Sequence, residues 1–375
     1  MAASNASEQI IYLPKTAPRI WQPVRQQAAD SYLVLFIAAF GITVIAVRVF
    51  LEMTGYPQIG DKTFHIAHML WGGLLLVIAL MMLLIWDNNW VWWVSALLGG
   101  IGVGLFIDEV GKFITQSNDY FVPLAMPIIY GFMLICVWLF LRIRRSQPHS
   151  TRTLLYHSLH DLKQLVDNDL DPFEHKQLVV NLQEVVAKTD KPNERLLAKM
   201  LLSFVQAADL QIRPEPNVLE RAWFWVKFIA ARWPSRRSFR ILLIIGFAIE
   251  ALRALAQVGT LISVANNDSA ALSIANFVIV NGKSRYIVDN PLLLTAYGGG
   301  TVIVGIMCAV AALLLIIGKE RPGLRAGTLA LALSLTGINL LTFYFSQIYA
   351  IGAALAELVL LLGAAVYRWR FYLNR

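Results

Sequence analysis

Two adjacent stretches decide the fold of this chain: MLWGGLLLVIALMMLLIW, residues 69–86, and WVWWVSALLGGIGVGLFI, residues 90–107. Neither contains a charged side chain, and each approaches the roughly 20 apolar residues that a helix needs to cross a bilayer. Only Asp87, Asn88 and Asn89 separate them, so we expect the two helices to form an antiparallel hairpin. The sequence therefore predicts a membrane protein with these two spans as neighbours.

The composition of the whole chain agrees with this prediction. Its 375 residues are 57% hydrophobic and 15% charged, whereas soluble domains average roughly 45–50% and 25%. Both cysteines, Cys136 and Cys308, lie inside apolar runs, so neither a disulfide framework nor a thiolate metal site can be built from them. An ordinary soluble enzyme is excluded.

Other apolar runs, with the turn signals between them, bring the predicted total to eight spans. The first carries Arg48, and the fifth carries Glu250 and Arg253. The eight spans are residues 32–51, 69–86, 90–107, 121–141, 240–264 and 291–318, and two helices within residues 326–367 that turn near residues 346–352. The predicted fold is an all-α integral membrane protein of about eight transmembrane helices, four before and four after an inserted cytoplasmic helical bundle.

The predicted domains follow from this division. They are a cytoplasmic N-terminal segment (1–31), transmembrane helices 1–4 (32–142), a cytoplasmic helical insert (143–238), transmembrane helices 5–8 (239–370) and a cytoplasmic tail (371–375). Pro172 and Pro192 separate apolar stripes of helical period in the insert, which predicts a small bundle. Trp223, Trp225 and Trp233 beside basic residues predict an interfacial helix at its end.

The distribution of basic residues predicts the orientation, because short loops rich in Lys and Arg stay in the cytoplasm. Of the 32 basic residues, 26 fall on the side of the termini and the insert, four on the other side and two inside the membrane. We expect a multi-pass protein of the plasma membrane with both termini cytoplasmic. The net charge of +8 follows from the same bias, so membrane lipids are expected partners and nucleic acid is not. Residues 143–238 are a candidate surface for a protein partner.

Ionisable residues collect where the 69–107 hairpin opens to the outer side. Six of them recur at helical spacing or end a span: Asp61, His65, His68, Asp108, Glu109 and Lys112. The spacing of the first three predicts that they share one face of the second helix. His65, His68 and Asp108 are candidate ligands of Zn²⁺ or another divalent metal with an open water position. Asp108, Glu109 and Lys112 are candidate catalytic residues, the two carboxylates as acid or base groups and Lys112 as the residue that orients them. The alternative is a structural network in which Lys112 pairs with one acid and a histidine donates to the other.

Further polar residues lie from mid-membrane outward. Together they predict a polar cavity open to the outer leaflet, although each pair also fits a simple ion pair. The predicted cavity residues are Arg48, Asp61, Asp119, Glu250, Arg253, Gln257, Asn339 and Glu357.

The stretch GVGLFIDEVGKFIT, residues 102–115, followed by residues 118–121 (NDYF), resembles a signature shared by uncharacterised polytopic bacterial membrane proteins. The stretch Phe345-Ser346-Gln347 resembles the same group. This resemblance implies a multi-pass protein of a bacterial inner membrane and brings no activity with it. The spacing of Asp61, Lys62 and His65 before a glycine-rich acidic helix is similar to VanZ-like membrane proteins.

Three functions are open at this point. The first is a metal-dependent hydrolase acting on a lipid or lipid-linked substrate at the outer leaflet. The second is a transporter or channel whose polar pathway crosses the outer half of the membrane. The third is a non-catalytic scaffold or sensor that uses the cytoplasmic insert.

Overall fold

A computed structural model describes residues 23–54, 60–61, 64–65, 68–116, 122–144, 150–167, 170, 172–207, 235–265 and 291–373. These residues are almost entirely helical, which confirms the predicted all-α class. These described residues fall into two compact units, one within the ranges 1–29 and 146–216 and the other within the ranges 30–145 and 217–375.

The first half of the larger unit holds four long helices and a short hairpin. Its elements are α1 (Ala29–Thr54), β1 (Gly60–Asp61), β2 (Phe64–His65), α2 (His68–Ile85), α3 (Asn89–Asp108), α4 (Val110–Ile114) and α5 (Ala125–Arg144). The strands pair antiparallel, with Gly60 opposite His65. The three-residue connection between α2 and α3 makes these helices an antiparallel pair, as predicted.

The second half of the larger unit holds four more spans. Its elements are α9 (Arg236–Ala265), α10 (Pro291–Ile316), α11 (Glu320–Leu333), α12 (Asn339–Phe345) and α13 (Gln347–Arg368), with π-helical segments at Ser334–Ile338 and Trp369–Leu373. The chain runs continuously from α11 through the first π segment into α12 and then turns at Ser346, whose backbone is extended. The predicted turn near residues 346–352 is confirmed.

Eight helices in the described part of the chain are long and apolar enough to cross a membrane, which confirms the predicted number. Large apolar side chains face outward along them; Ile42, Leu84 and Val359 are each about two-thirds exposed. Apolar surface of this extent is stable in hydrocarbon and unfavourable in water. The protein is therefore a multi-pass membrane protein whose spans contact lipid.

Glycines set the distance between the first three spans. A Cβ atom added at Gly100 would lie 2.4 Å from the carbonyl oxygen of Phe36, and one at Gly104 would lie 2.8 Å from the Cβ of Thr43. On the other side of α3, a Cβ at Gly72 would lie 2.7 Å from the carbonyl oxygen of Gly102. Helix α3 thus packs backbone to backbone against both α1 and α2, which brings the end of α3 close to side chains of both.

The smaller unit contains α6 (Thr151–Val166), α7 (Pro172–Lys188) and α8 (Pro192–Ala207). Ser150 caps α6 by accepting a hydrogen bond from the backbone N–H of Thr153 at 3.2 Å. Leucine and valine stripes from the three helices form its core: Leu154, Leu178, Leu182, Val185, Ala198 and Val205. This is the predicted helical bundle, whereas the tryptophan-rich stretch predicted to be interfacial lies outside the described residues.

Candidate functional site

The two adjacent acids predicted as site residues lie at the end of α3 and are fully buried. Asp108 is 0% exposed and Glu109 is 1% exposed. Helix α3 ends there because Glu109 has backbone angles of φ −88° and ψ 8°, and the short helix α4 starts at the next residue. Because of this break, the two consecutive carboxylates have different sets of partners.

The first partner is Arg48 of α1, which binds Asp108 twice. Its Nε donates to Asp108 Oδ1 at 2.6 Å, and its Nη2 donates to the backbone carbonyl oxygen of Asp108 at 3.1 Å. Arg48 is itself only 6% exposed. A buried carboxylate is stable only when it is paired, so this contact compensates the charge of Asp108.

The second partner is His68, the first residue of α2, which lies between the two acids. Its Nε2 is 3.2 Å from Asp108 Oδ2, and its Nδ1 is 3.0 Å from Glu109 Oε1. A carboxylate oxygen only accepts hydrogen bonds, and a neutral imidazole carries one N–H. Both contacts are hydrogen bonds only when both ring nitrogens carry a proton, so the geometry fits an imidazolium ion held between two carboxylates.

Lys112 completes this group, which we call the His68 network: Arg48, His68, Asp108, Glu109 and Lys112. The ammonium of Lys112 lies 3.2 Å from Glu109 Oε1, as the predicted ion pair requires. The other oxygen, Glu109 Oε2, is buried and has no hydrogen-bond partner among the residues described. The side chains of His68 and Lys112 are each 25% exposed. The network is thus partly exposed at these two residues, while Glu109 Oε2 is a buried acceptor within the described part of the chain.

One prediction about this region is wrong. Asp61 and His65 were expected on one helix face with His68, but they lie in the two strands of the hairpin, and α2 begins only at His68. The structure describes the backbone of Asp61 and His65 but not their side chains, and Asp119 lies outside the described residues. Within the described part of the chain, no three His, Cys, Asp or Glu side chains are arranged to hold a metal ion.

A second group of polar side chains surrounds Glu357 in the middle of α13. Glu357 is 0% exposed. Its Oε1 accepts hydrogen bonds from Ser334 Oγ at 2.9 Å and from Arg253 Nη2, and its Oε2 accepts one from Asn339 Nδ2 at 2.9 Å. Arg253 also donates from Nε to Glu250 Oε2 at 2.8 Å. We call these five residues the Glu357 network.

The π-helical segment Ser334–Ile338 explains how two residues of one helix reach the same carboxylate. Ser334 and Asn339 are five positions apart, which on an α-helix would place them about 140° apart. In the π segment the backbone N–H of Asn339 bonds the carbonyl oxygen of Ser334, so the two residues lie one above the other. Single π-helical turns of this kind often occur at functional sites.

The charges of the Glu357 network do not balance. Glu250 is 6% exposed and Glu357 is fully buried, yet within the described residues Arg253 is the one cation that pairs with them. Two carboxylates and one guanidinium carry a net charge of −1. A bilayer-embedded group of this kind is stabilised when it takes up a proton or another cation.

An apolar cluster joins the two halves of the membrane unit beside both networks. It contains Phe40, Met126, Tyr130, Phe343 and Ala350, with Ile107 and Leu340 packed against it. The hydroxyl of Tyr130 donates to the carbonyl oxygen of Leu335 in the π segment at 2.6 Å.

Most of the described residues of the predicted polar cavity divide between the two networks, with Arg48 in one and Glu250, Arg253, Asn339 and Glu357 in the other. Gln257 donates to the hydroxyl of Tyr349 at 3.0 Å.

A third polar cluster was not predicted from the sequence. Glu320 accepts hydrogen bonds from Tyr372 at 2.6 Å, Arg236 at 2.7 Å and Tyr367 at 2.9 Å, and Arg240 lies 3.4 Å away. Here two arginines and two tyrosine hydroxyls donate hydrogen bonds to one carboxylate, so the negative charge of Glu320 is compensated. The cluster fixes the starts of α9 and α11 to the end of α13 and is explained by that structural role.

No protein-family model matches this chain, and no curated protein or solved structure matches it either. The function is therefore argued from the two networks alone.

Proposed function

We propose that the protein is a proton-coupled membrane transporter in which the Glu357 network binds the coupling proton. The observation that carries this proposal is the pair of buried carboxylates, Glu250 and Glu357, that share one arginine. A proton that neutralises one carboxyl group weakens its attraction to Arg253, and the arginine then pairs with the other. Such an exchange gives the network two arrangements with different protonation.

The position of the network supports the proposal. Glu357 lies ten residues into α13, about 15 Å along a helix that rises 1.5 Å per residue, which is near the middle of a span. Ser334 and Asn339 reach it from a continuous helix that changes from α to π hydrogen bonding at these residues. Single π-helical turns beside buried charge often mark functional sites.

Transport assays with purified full-length protein in liposomes test the proposal. The liposomes contain a pH-sensitive dye, and amino acids, organic acids, sugars and inorganic ions are added one class at a time. We expect one class to drive proton movement, and expect Glu357→Gln and Glu250→Gln to abolish it. Glu184→Gln removes a partly exposed carboxylate of α7 that pairs with Lys188 and is the matched control. Proton movement that is unchanged in Glu357→Gln, or absent with every class in the wild type, would contradict the proposal.

A second candidate is a metal-dependent hydrolase acting on a lipid or lipid-linked substrate at the outer leaflet. The separation of 3.2 Å between His68 Nε2 and Asp108 Oδ2 is close to the roughly 3.3 Å between two ligands of a tetrahedral Zn²⁺ with bonds of about 2.0–2.1 Å. Glu109 on the other ring nitrogen matches the carboxylate that commonly orients a ligating histidine. A metal ion would replace the Nε2 proton, and His65 would be the candidate third ligand.

Metal content distinguishes this candidate from the transporter. Mass spectrometry of purified protein should find close to one equivalent of zinc or another divalent metal per chain if the hydrolase is correct, and the equivalent should be lost in His65→Ala/His68→Ala. Wild-type protein without metal, even after reloading, would exclude the hydrolase and leave the transporter.

We further propose that the protein resides in the plasma membrane with both termini and the insert in the cytoplasm. The support is the excess of basic residues in those segments. Single-cysteine variants test the orientation: with Cys136 and Cys308 replaced, Lys176→Cys should react with an impermeant maleimide only after lysis, and Gln116→Cys in intact cells. The opposite pattern would invert the topology.

The insert is also the proposed contact for a protein partner. Leu196, Met200 and Phe204 of α8 lie one turn apart and are each more than half exposed. An exposed apolar row on a polar bundle is typical of a protein-binding surface. A complex retained by the wild type and lost in Leu196→Glu/Met200→Glu would support this contact, whereas a complex retained by both would exclude it.

A further inference from the structure

Among the described residues, the insert contains a group of buried side-chain oxygen atoms without hydrogen-bond partners. Asp161 of α6 is 1% exposed, and neither of its carboxylate oxygens has a hydrogen-bond partner in the part of the chain that is described. Gln164 is 7% exposed, and its Oε1 also lacks a hydrogen-bond partner among the described residues. The two residues are three positions apart on α6 and therefore share a face of the helix.

A neighbouring charged group has the same sign as Asp161. Glu174, in the first turn of α7, repels the carboxylate of Asp161, and the neutral side chain of Gln27 approaches it without the geometry of a full hydrogen bond. His157 lies one turn earlier on α6, and its Nε2 is hydrogen-bonded to the backbone carbonyl oxygen of Arg25 at 3.1 Å. The face of α6 at Asp161 is thus rich in acceptors and negative charge.

Leaving these oxygens without partners would be costly. A buried polar group without a hydrogen bond costs about 1–3 kcal/mol, and a buried charge costs more. A proton on Asp161 relieves part of this cost, and burial together with Glu174 raises the pKa of Asp161 to about 7. One proton donates only one hydrogen bond, however, so it leaves most of the three oxygens without a donor.

We propose that Asp161, Gln164 and Glu174 form a binding site for a hard divalent cation, Mg²⁺ or Ca²⁺. Carboxylate and amide carbonyl oxygens are the ligands these ions prefer, and water molecules commonly complete their coordination. The ion would connect α6 to α7 beside the segment that carries Gln27, and it would hold the insert together independently of the transport proposal.

The test uses full-length protein in detergent, stripped with a chelator and returned to Mg²⁺ alone or Ca²⁺ alone near pH 7.5. Isothermal titration should show one ion bound per chain for at least one of the two cations. Hydrogen–deuterium exchange of peptides from α6 and α7 should slow about tenfold when the ion is present at ten times its Kd, because binding stabilises the closed state by mass action.

Variants decide whether the ion occupies this site. Asp161→Asn keeps the shape of the side chain and should lose both the binding and the protection, and Glu174→Gln should weaken both. Asp167→Asn changes an exposed acid at the end of the same helix and should behave like the wild type. If neither cation binds or protects the wild type, or if Asp161→Asn is protected equally, the proposal is wrong. Wild-type protein that gains protection only from acid would assign these oxygens to a buried proton.

Discussion

Arg48 and Asp108 lie 60 positions apart in the chain and are joined by two hydrogen bonds, one to the carboxylate and one to the backbone carbonyl oxygen of Asp108. The second bond matters because it fixes the end of α3 as well as the side chain. The guanidinium therefore holds the helix terminus at the height where His68 begins α2. Without this contact, nothing else described on α1 would neutralise Asp108.

Removing Arg48 should destabilise the protein more than removing both partners. Arg48→Met leaves Asp108 buried and without its arginine, which costs about 3–5 kcal/mol for a typical buried pair. The double variant Arg48→Met/Asp108→Asn should recover part of that loss, since the amide carries no charge and can still accept from His68. Free energies of unfolding measured by SDS titration in mixed micelles check this. Single-variant losses that simply add in the double variant would show that the two residues are not coupled.

His68 should carry protons on both ring nitrogens at neutral pH, because both face carboxylate oxygens. Nitrogen NMR of protein labelled in histidine distinguishes the doubly protonated ring from the neutral tautomers and from a metal-bound nitrogen. His68→Gln identifies which signal belongs to this residue. A signal with one unprotonated nitrogen would contradict the ion-pair geometry and would favour the metal candidate.

Two neighbouring glycines should respond differently to alanine. At Gly72 the new Cβ would lie 2.7 Å from the carbonyl oxygen of Gly102, so α2 and α3 must separate, at a typical cost of about 1–3 kcal/mol for overpacking. At Gly73 nothing lies within 4 Å, and alanine there should be neutral or stabilising by up to about 1 kcal/mol through helix propensity. Thermal unfolding of the two variants checks the difference. Equal melting temperatures would show that backbone contact between these helices does not limit stability.

The insert should lose stability as pH rises from about 4 to 7 when no divalent cation is present. Burial and the neighbouring Glu174 raise the pKa of Asp161 from 3.8 to about 7. Between these values the folded insert binds more protons than the unfolded one, so its free energy of unfolding falls with rising pH, by up to about 1.4 kcal/mol per pH unit. Exchange rates of α6 peptides in chelator, corrected for intrinsic pH effects, should therefore increase between pH 5 and pH 8. Asp161→Asn should remove this dependence, and a wild type that behaves like the variant would contradict the prediction.

The spans were predictable because uncharged length is a direct requirement of the bilayer, and Ser346 was predictable as a turn because the apolar run was too long for one helix. The pairing of His68 with the acids followed from the short connection between α2 and α3. The partner of Arg48 did not, since helix rotation depends on where Gly100 and Gly104 let α3 approach α1. The hairpin at Asp61 and His65 was missed because its spacing also fits a helix.

The Glu357 network was only half predictable. Glu250, Arg253, Asn339 and Glu357 stood out as polar residues in apolar runs, but their mutual contacts depend on the π segment, which has no sequence signal of its own. Ser334 and Tyr130 were missed because a hydroxyl in a membrane helix is common and usually bonds its own backbone. Asp161 was missed because the apolar stripes of the insert show which residues form the core and not which polar residues are buried beside them.

The π segment also makes the second network sensitive to chain length. Thr336 is exposed, and its side chain bonds only the backbone of its own helix, to the carbonyl oxygen of Ala332. Substitutions at Thr336 should therefore be well tolerated. Deleting the same residue would leave Ser334 and Asn339 four positions apart, which an α-helix keeps on one face, about 40° apart, so Asn339 should still reach Glu357. Inserting one residue there with α-helical geometry would instead turn everything after it by about 100°, which carries Asn339 away from Glu357 and Phe343 away from Tyr130. For this helix, the π turn accommodates one extra residue and no more, so an insertion that leaves every contacting side chain in the sequence would still dismantle the site.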